Sequence, residues 1–288
     1  MPELPEVQTI VNELNRKVLK RTFLDIWTDT PELFKKPRNI ALFKKKILGK
    51  RINNIFRKGK QIVFELTDNK ILLIHQKMTG HFLIGKWKQK DGVWQAQSGT
   101  FLKDPANRFV HVIFYLNKDI QLAFSDLRKF AKIELWDKKD LEKNPNFKKI
   151  GPDSLEINFK DFKKLISIQK RKIKQVLMDQ EIISGIGNIY SDEILFAARI
   201  SPLRLTNNLK EKDLKAIHKA IKKILRKAIR AGGDSVSDYR RTDGSPGRFD
   251  KLSKVYRKEG EKCPICKNII QRRKVGGRSA HFCSQCQK

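Results

Sequence analysis

Two groups of residues in this chain have types and spacings that can do chemistry: four cysteines, and a proline and glutamate at the chain start. The cysteines form two Cys-x-x-Cys pairs, CPIC at 263–266 and CSQC at 283–286, with sixteen residues between them. Each pair offers two thiolates to one ion, and two pairs build the tetrahedral site that zinc favours. Four protein ligands close a metal to water, so one structural zinc ion is expected at Cys263, Cys266, Cys283 and Cys286. Disulfides are the alternative, disfavoured because the first twenty residues carry Glu3, Glu6 and Glu13 and no apolar signal-peptide core. Between the pairs, RRKVGGRSAHF reads as a basic hairpin bending at Gly276-Gly277 and presenting Arg278 to phosphate, or as a solvated turn.

The chain opens MPELPEVQTI. A helix can begin at Pro5, where a missing N–H costs nothing, and Val7, Ile10, Val11, Leu14 and Val18 then share one face. Pro2 and Glu3 need another account. With Met1 removed, Pro2 offers a secondary amine, and amines attack electrophilic carbon at sugars or carbonyls to give Schiff bases. A terminal amine with a pKa near ~8, against ~10.4 for lysine, holds roughly a hundredfold more of its nucleophilic form at neutral pH. Lys60 and the positive end of the helix would lower that pKa further, and Glu3 would sit one residue away to move a proton. The other reading of Pro2 and Glu3 is a disordered start followed by a helix cap.

Two loops stand out. HQKMTG at 75–80 carries His75 and Met78, and SDLRKF at 125–130 carries Arg128 and Phe130. Apolar and arginine side chains on such loops can wedge into a duplex in place of an extruded base, or can simply be core. GIGN at 185–188 could set backbone N–H groups and Asn188 at a helix start, where the dipole favours an anion.

The elements that must position these residues follow from patterning. The chain has 288 residues, enough for two packed domains. From about Arg21 to Trp136, QIVFELTDNKILLIH and FVHVIFYLNKDIQLAF read as β-hairpins turning at Asp68-Asn69 and at Asn117 to Asp119. With their flanking strands under the N-terminal helix they predict a two-layer β-sandwich at 1–136, followed by a polar linker at 137–154. The period then changes: Leu214, Ile217, Ile221, Ile224, Leu225 and Ala228 form a helical stripe that stops at Gly232-Gly233. A helical domain at 155–259 and a cysteine-bearing module at 260–288 complete the expected α+β arrangement. A formal charge of +32 fits a polyanionic partner, nucleic acid foremost, with a merely solvating lysine surface as the alternative. No apolar run is long enough to span a bilayer, and the expectation is a cytoplasmic protein without a membrane partner.

Taken in order, MPELPEV, RKGKQIVFEL, HQKMTG, SDLRKF, IGPDSL, IKQVLMDQEIISGIGNIYSDEILFAARISP, AGGDS with DGSPG, and CPIC to CSQC with KVGGR resemble the bacterial formamidopyrimidine-DNA glycosylases along nearly the whole chain. The resemblance implies a monomeric, nucleoid-associated repair enzyme that flips oxidised purines such as 8-oxoguanine and formamidopyrimidines out of double-stranded DNA. Its fold would comprise the sandwich, a helix-two-turn-helix domain with a lesion-covering loop, and a zinc finger. It implies Pro2 as the nucleophile at deoxyribose C1′, Glu3 as the proton donor, and Glu6 and Lys60 as supporting groups. Elimination at both flanking phosphates would cut the strand. Met78, Arg128 and Phe130 would fill the vacated space, while His75, Lys174, Asn188 and Arg278 would meet phosphates, Arg278 also assisting the second elimination. SDLRKFAK departs from the family's usual proline before the arginine and glycine after the phenylalanine, and Ser237 stands where a basic residue is common. Two rivals remain: an endonuclease VIII-like glycosylase for oxidised pyrimidines, against which Leu4 argues, and a non-catalytic zinc-ribbon protein binding nucleic acid by charge.

Overall fold

The computed structural model describes residues 1–99, 101–235 and 238–288, with only the backbone of Phe101; Ser237 lies outside the described residues. The chain divides into two compact units, Met1–Phe147 with Ala231–Asp250, and Lys148–Arg230 with Lys251–Lys288.

The first unit begins with helix α1 (Leu4–Val18), then β1 (Phe23–Thr28), β2 (Phe34–Lys36), α2 (Ile40–Ile47), β3 (Ile52–Lys58), β4 (Gln61–Leu66) and β5 (Lys70–His75). It continues with β6 (His81–Gly85), β7 (Trp87–Lys90), β8 (Val93–Ala96), β9 (Val110–Leu116), β10 (Ile120–Ser125) and β11 (Lys132–Asp137), then α3 (Lys138–Lys143) and α4 (Pro145–Lys148) at its edge. Two sheets form, in the orders β1-β9-β10-β6 and β2-β11-β5-β4-β3, with β7 and β8 as a separate hairpin. All pairings are antiparallel except β2 with β11.

The hairpins turn where the sequence predicts them. Asp68 and Asn69 join β4 to β5 at φ 56 and 54°, and Lys118 and Asp119 join β9 to β10 at φ 62 and 58°. Two consecutive left-handed residues match the twist of the flanking strands. The sheets meet through aromatic rings: Phe64 of β4 lies 6.1 Å from Phe82 of β6, which in turn lies 5.0 Å from Phe124 of β10, all edge to face. Val7, Ile10, Val11, Leu14 and Val18 of α1 enter the same core. The β-sandwich with its covering helix is therefore present.

The second unit holds α5 (Phe159–Ser167), α6 (Ile173–Met178), α7 (Asn188–Ala198), α8 (Glu211–Arg230), and the hairpin β12 (Gln271–Val275) and β13 (Arg278–Phe282). The predicted stripe of α8 is realised at Leu214, Ile217, Ile221, Leu225 and Ala228, which are buried, while Ile224 is half-buried. Both oxygens of the Glu193 carboxylate accept from the Lys254 backbone N–H, and Oε1 also accepts from Val255 and Tyr256, each at 2.9 Å. This fastens the chain entering the cysteine module to α7.

Two stretches differ from the expected boundaries. Residues 137–154 are structured: α3 and α4 occupy much of the stretch, and Leu141 is buried against Val63, Ile71 and Leu73. Residues 231–250 belong to the first unit rather than to the helical domain. The cause is a set of hydrogen bonds to α1 and β6. Glu13 accepts from the Thr242 N–H at 2.9 Å and pairs with Arg241 at 2.6 Å, the Ile84 N–H donates to the Thr242 carbonyl, and Tyr239 is buried in the sandwich core. Replacing Glu13 with Ala leaves the Thr242 amide without its acceptor and is expected to cost about 1–3 kcal/mol. Hydrogen exchange checks this: the Thr242 amide loses its protection in Glu13→Ala, and unchanged protection contradicts the latch.

Candidate active site and metal centre

At the chain start, Pro2, Glu3 and Glu6 are buried. Glu3 is the N-cap of α1 and forms a capping box with Glu6, whose Oε2 accepts from the Glu3 N–H at 2.8 Å. The other oxygen of Glu6 accepts from the Asp234 N–H at 2.8 Å, so one carboxylate joins the front of α1 to the returning segment. Gly233 allows the approach: at φ +84° a Cβ would lie 2.9 Å from Glu6 Oε1. Lys60 is buried after Gly59 in the β3–β4 turn, which Arg57 ties to α1 by donating to Gln8 at 3.0 Å and to the Gly59 carbonyl at 2.9 Å. Burial lowers the pKa of the Met1 amine; Glu3 and Glu6 oppose this, and Lys60 adds to it. The imidazole of His75 falls to about 3 through burial and the charges of Lys77, Lys60 and Lys132. It is neutral, and since Nδ1 accepts from the Lys77 N–H at 3.0 Å, the proton sits on Nε2 as a donor. Pro2, Glu3, Glu6, Lys60 and His75 thus gather in the first unit.

The two loops of that unit are clamped together. Asp126 and Thr79, both buried, share a short hydrogen bond; Asp126 Oδ2 accepts from the Ala131 N–H at 2.9 Å, and Thr79 Oγ1 from the Arg128 N–H at 3.0 Å. Above the clamp Met78 is 38% and Phe130 52% exposed, which removes the core reading for both. The Arg128 guanidinium lies 4.6 Å from the centre of the Phe130 ring. Leu127, 47% exposed on the same tip, was not singled out by sequence reasoning, nor were Thr79 and Asp126. All three stand inside HQKMTG and SDLRKF, where a hydroxyl and a carboxylate on facing loops were the available signal.

In the second unit, the turn before α7 is held by Gln180, which donates to the Ile186 carbonyl at 2.8 Å and accepts from the Gly185 N–H at 2.9 Å. Asn188 follows as the first residue of α7, behind the N-cap Gly187. Lys174 differs from the expectation of a phosphate contact. Its side chain has no exposed surface, and Nζ lies 2.5 Å from Asp192 Oδ1 and 3.2 Å from Ser191 Oγ. A buried ammonium needs such a partner, because desolvation without one is prohibitive. The second oxygen of Asp192 accepts from the N–H of His281 at 2.9 Å and lies 3.0 Å from its Nδ1, so α6, α7 and β13 share one carboxylate that the sequence did not flag.

Gly276 and Gly277 turn the hairpin at φ 56 and 77°, and a Cβ on Gly276 would lie 2.6 Å from the Gln175 amide nitrogen. Arg278 is exposed directly after this turn. The four cysteine sulfurs lie within 4.8 Å of one another, with Cys263 to Cys286 at 3.9 Å and Cys266 to Cys283 at 3.4 Å. Zinc–sulfur bonds of about 2.3 Å give a tetrahedron with edges of about 3.8 Å, so the donor set fits zinc. Without a cation, the Asn268 N–H lowers the Cys266 thiol to about 7, while loss of solvent and the neighbouring thiols push Cys286 up to about 12. Only a dication lets all four act as thiolates together. The zinc is structural, holding the base of the β12–β13 hairpin.

Comparison with known proteins agrees with this architecture. The family models described as formamidopyrimidine-DNA glycosylase N-terminal domain, formamidopyrimidine-DNA glycosylase H2TH domain, and zinc finger found in FPG and IleRS match residues 1–133, 150–240 and 260–288. The formamidopyrimidine-DNA glycosylase of Carboxydothermus hydrogenoformans is 36% identical over 290 residues, covering 100% of both chains, and that of Desulforamulus reducens is 34% identical, covering 100% and 99%. Among solved structures, wild-type Lactococcus lactis Fpg (MutM) in complex with DNA containing N7-benzyl-Fapy-dG aligns with a TM-score of 0.84 at 34% identity over 100% of both chains. The same protein's complex with abasic-site DNA aligns at 0.85 and 33% over 99% of each. With family models matching most of its length and relatives above 30% identity from end to end, the chain belongs to the formamidopyrimidine-DNA glycosylase family of DNA glycosylases.

Proposed function

We propose that this protein excises oxidised purines, 8-oxoguanine and formamidopyrimidines, from double-stranded DNA and then cleaves the strand as an abasic-site lyase. The observation that carries the reading is the setting of the chain start: a buried Pro2 beside two buried carboxylates and Lys60, at a place where burial already lowers the pKa of the adjoining Met1 amine. This chemistry requires Met1 to be removed, so that Pro2 carries the reacting amine. Its nitrogen lone pair attacks C1′ of the flipped nucleotide, the C1′–base bond breaks, and the proton lost from the Pro2 nitrogen leaves with the base. Glu3 protonates the ring oxygen as the sugar opens, giving an iminium between Pro2 and C1′. Loss of the 3′ phosphate and then of the 5′ phosphate by successive elimination, the second assisted by Arg278, leaves a one-nucleotide gap. Glu6 and Lys60 hold and polarise the nucleophile.

Met78, Arg128 and Phe130 occupy the vacated space in the duplex, supported by Thr79 and Asp126 beneath them. His75 donates from Nε2 to a phosphate, and Asn188 and Arg278 meet phosphates from the second unit. Lys174 serves the same track from below, by fixing α6 to α7 through Asp192. The Lactococcus lactis protein has also been solved with DNA containing an oxidised pyrimidine, which favours testing pyrimidine lesions beside purines.

Three outcomes are expected. Borohydride traps a covalent complex with an 8-oxoguanine duplex more efficiently than with an oxidised-pyrimidine duplex, and Pro2→Gly reduces trapping sharply; trapping unchanged in Pro2→Gly moves the nucleophile to a lysine. Cys283→Ser loses zinc and DNA affinity with the sandwich intact by circular dichroism, and full binding without metal overturns the finger's role. Thr79→Val loosens the wedge loop and lowers excision from duplex DNA by about 10-fold, the loss of roughly 1.4 kcal/mol of positioning, with trapping of a single-stranded abasic substrate spared. Equal loss on both substrates contradicts a role confined to the duplex.

A further inference from the structure

Helix α8 carries a feature that the excision chemistry leaves unused. Beyond Glu211 every exposed residue of this 20-residue helix is a cation: Lys212, Lys215, Lys219, Lys223, Arg226 and Arg230. Their spacings of three and four place them on one face, over a rise of about 27 Å. The helix has only two acids, Glu211 and Asp213, both in its first turn. Lys215 pairs with Glu211 at 2.8 Å, whereas none of the other five makes a salt bridge among the described residues. Lys222 is separate from the stripe and turns back to the Ile157 carbonyl at 2.8 Å.

Solvation alone does not account for this arrangement. A face that only keeps a helix soluble mixes both signs, because like charges three or four residues apart repel and oppose helix formation. The helix dipole rewards cations in the last turn only, not over five turns. A polyanion lying along the face removes the repulsion and releases its own counterions.

We infer that the exposed face of α8 is a second, sequence-independent docking surface for the backbone of duplex DNA, additional to the lesion site. The apolar residues of α8 are buried or half-buried and none is exposed, so the cationic face has no exposed apolar edge to enter a lipid surface. The cationic residues bring no aromatic ring of their own on which single-stranded bases could stack; Phe159, 5.7 Å from Lys215 Nζ at one end of the row, is packed edge to face against His218. What remains is a row of point charges, which suits phosphates. A duplex alongside presents about 16 charges over that length, at one per about 1.7 Å. Such a surface lets the enzyme hold one DNA segment while sampling another.

The test uses the full-length zinc-loaded protein and the triple variant Lys219→Gln, Lys223→Gln, Arg226→Gln, checked for an unchanged melting temperature. Wild-type protein saturated with a short lesion duplex is expected to bind a labelled, undamaged long duplex in addition, and the variant is not. The slope of log affinity against log salt for the undamaged duplex falls by about 2 to 3 in the variant, at roughly 0.9 per lost phosphate contact. Single-turnover excision from the short lesion duplex stays unchanged, and a triple Lys219→Arg, Lys223→Arg, Arg226→Lys variant keeps the wild-type slope. The inference is overturned if the Gln variant keeps the wild-type slope, or if excision from the short duplex falls with it, which assigns the stripe to the lesion-bearing DNA. Binding to phosphatidylserine vesicles in preference to the undamaged duplex overturns it as well. Absence of excision by the wild-type protein is a separate result that strikes the proposed function instead.

Discussion

The carboxylate of Glu6 is the point on which the arrangement of the chain start in the first unit rests. One oxygen accepts from the backbone of Glu3 and the other from the backbone of Asp234, residues 231 positions apart in the chain. Charge-assisted bonds of this kind are worth about 1.5–3 kcal/mol each. They set the direction in which the chain start leaves α1, and therefore where an amine at position 2 points. Burial, and after it the positive charge of Lys60 brought up by the Arg57-anchored turn, disfavours protonation of the Met1 amine at this chain start. In the proposed reaction, an amine at position 2 would be held in place because Pro2 is buried and the start of α1 is tied down.

The second unit solves a related problem with Asp192. This carboxylate neutralises the fully buried Lys174 and receives the N–H of His281, so the helical turn and the zinc hairpin are hung on one group. Removing one member of such a pair typically costs about 3–5 kcal/mol, since the other charge is left buried. Zinc fixes the base of the hairpin, and the close seat of Gly276 on Gln175 fixes its tip. Between these two restraints the exposed Arg278 has a defined position on an otherwise slender ribbon.

Much of this was legible in the chain before any coordinates. The stripe of α1, the two hairpin turns, the α8 face and the paired cysteines are local patterns, and local patterns survive in sequence because period and turn chemistry are written in neighbouring residues. The motif matches carried the expected fold through to the α+β arrangement. What escaped was long-range. Nothing near residues 231–250 shows that Glu6 and Glu13 will draw that stretch into the sandwich unit. Leu141 alone does not reveal that a polar segment will pack as a helix. Lys174 looks like any other lysine of a very basic protein until its partner, eighteen residues on, is seen to be buried with it. The Thr79 to Asp126 clamp joins two loops that sequence reading took separately.

The central claim is that a secondary amine at residue 2 bonds to the sugar. Its most direct measurement is single-turnover excision of 8-oxoguanine by protein whose Pro2 nitrogen is left acylated by an uncleaved preceding residue, compared with the processed form. The account requires base release and strand scission to be abolished in the acylated protein while duplex binding is retained. Excision at the normal rate from the acylated form would contradict it.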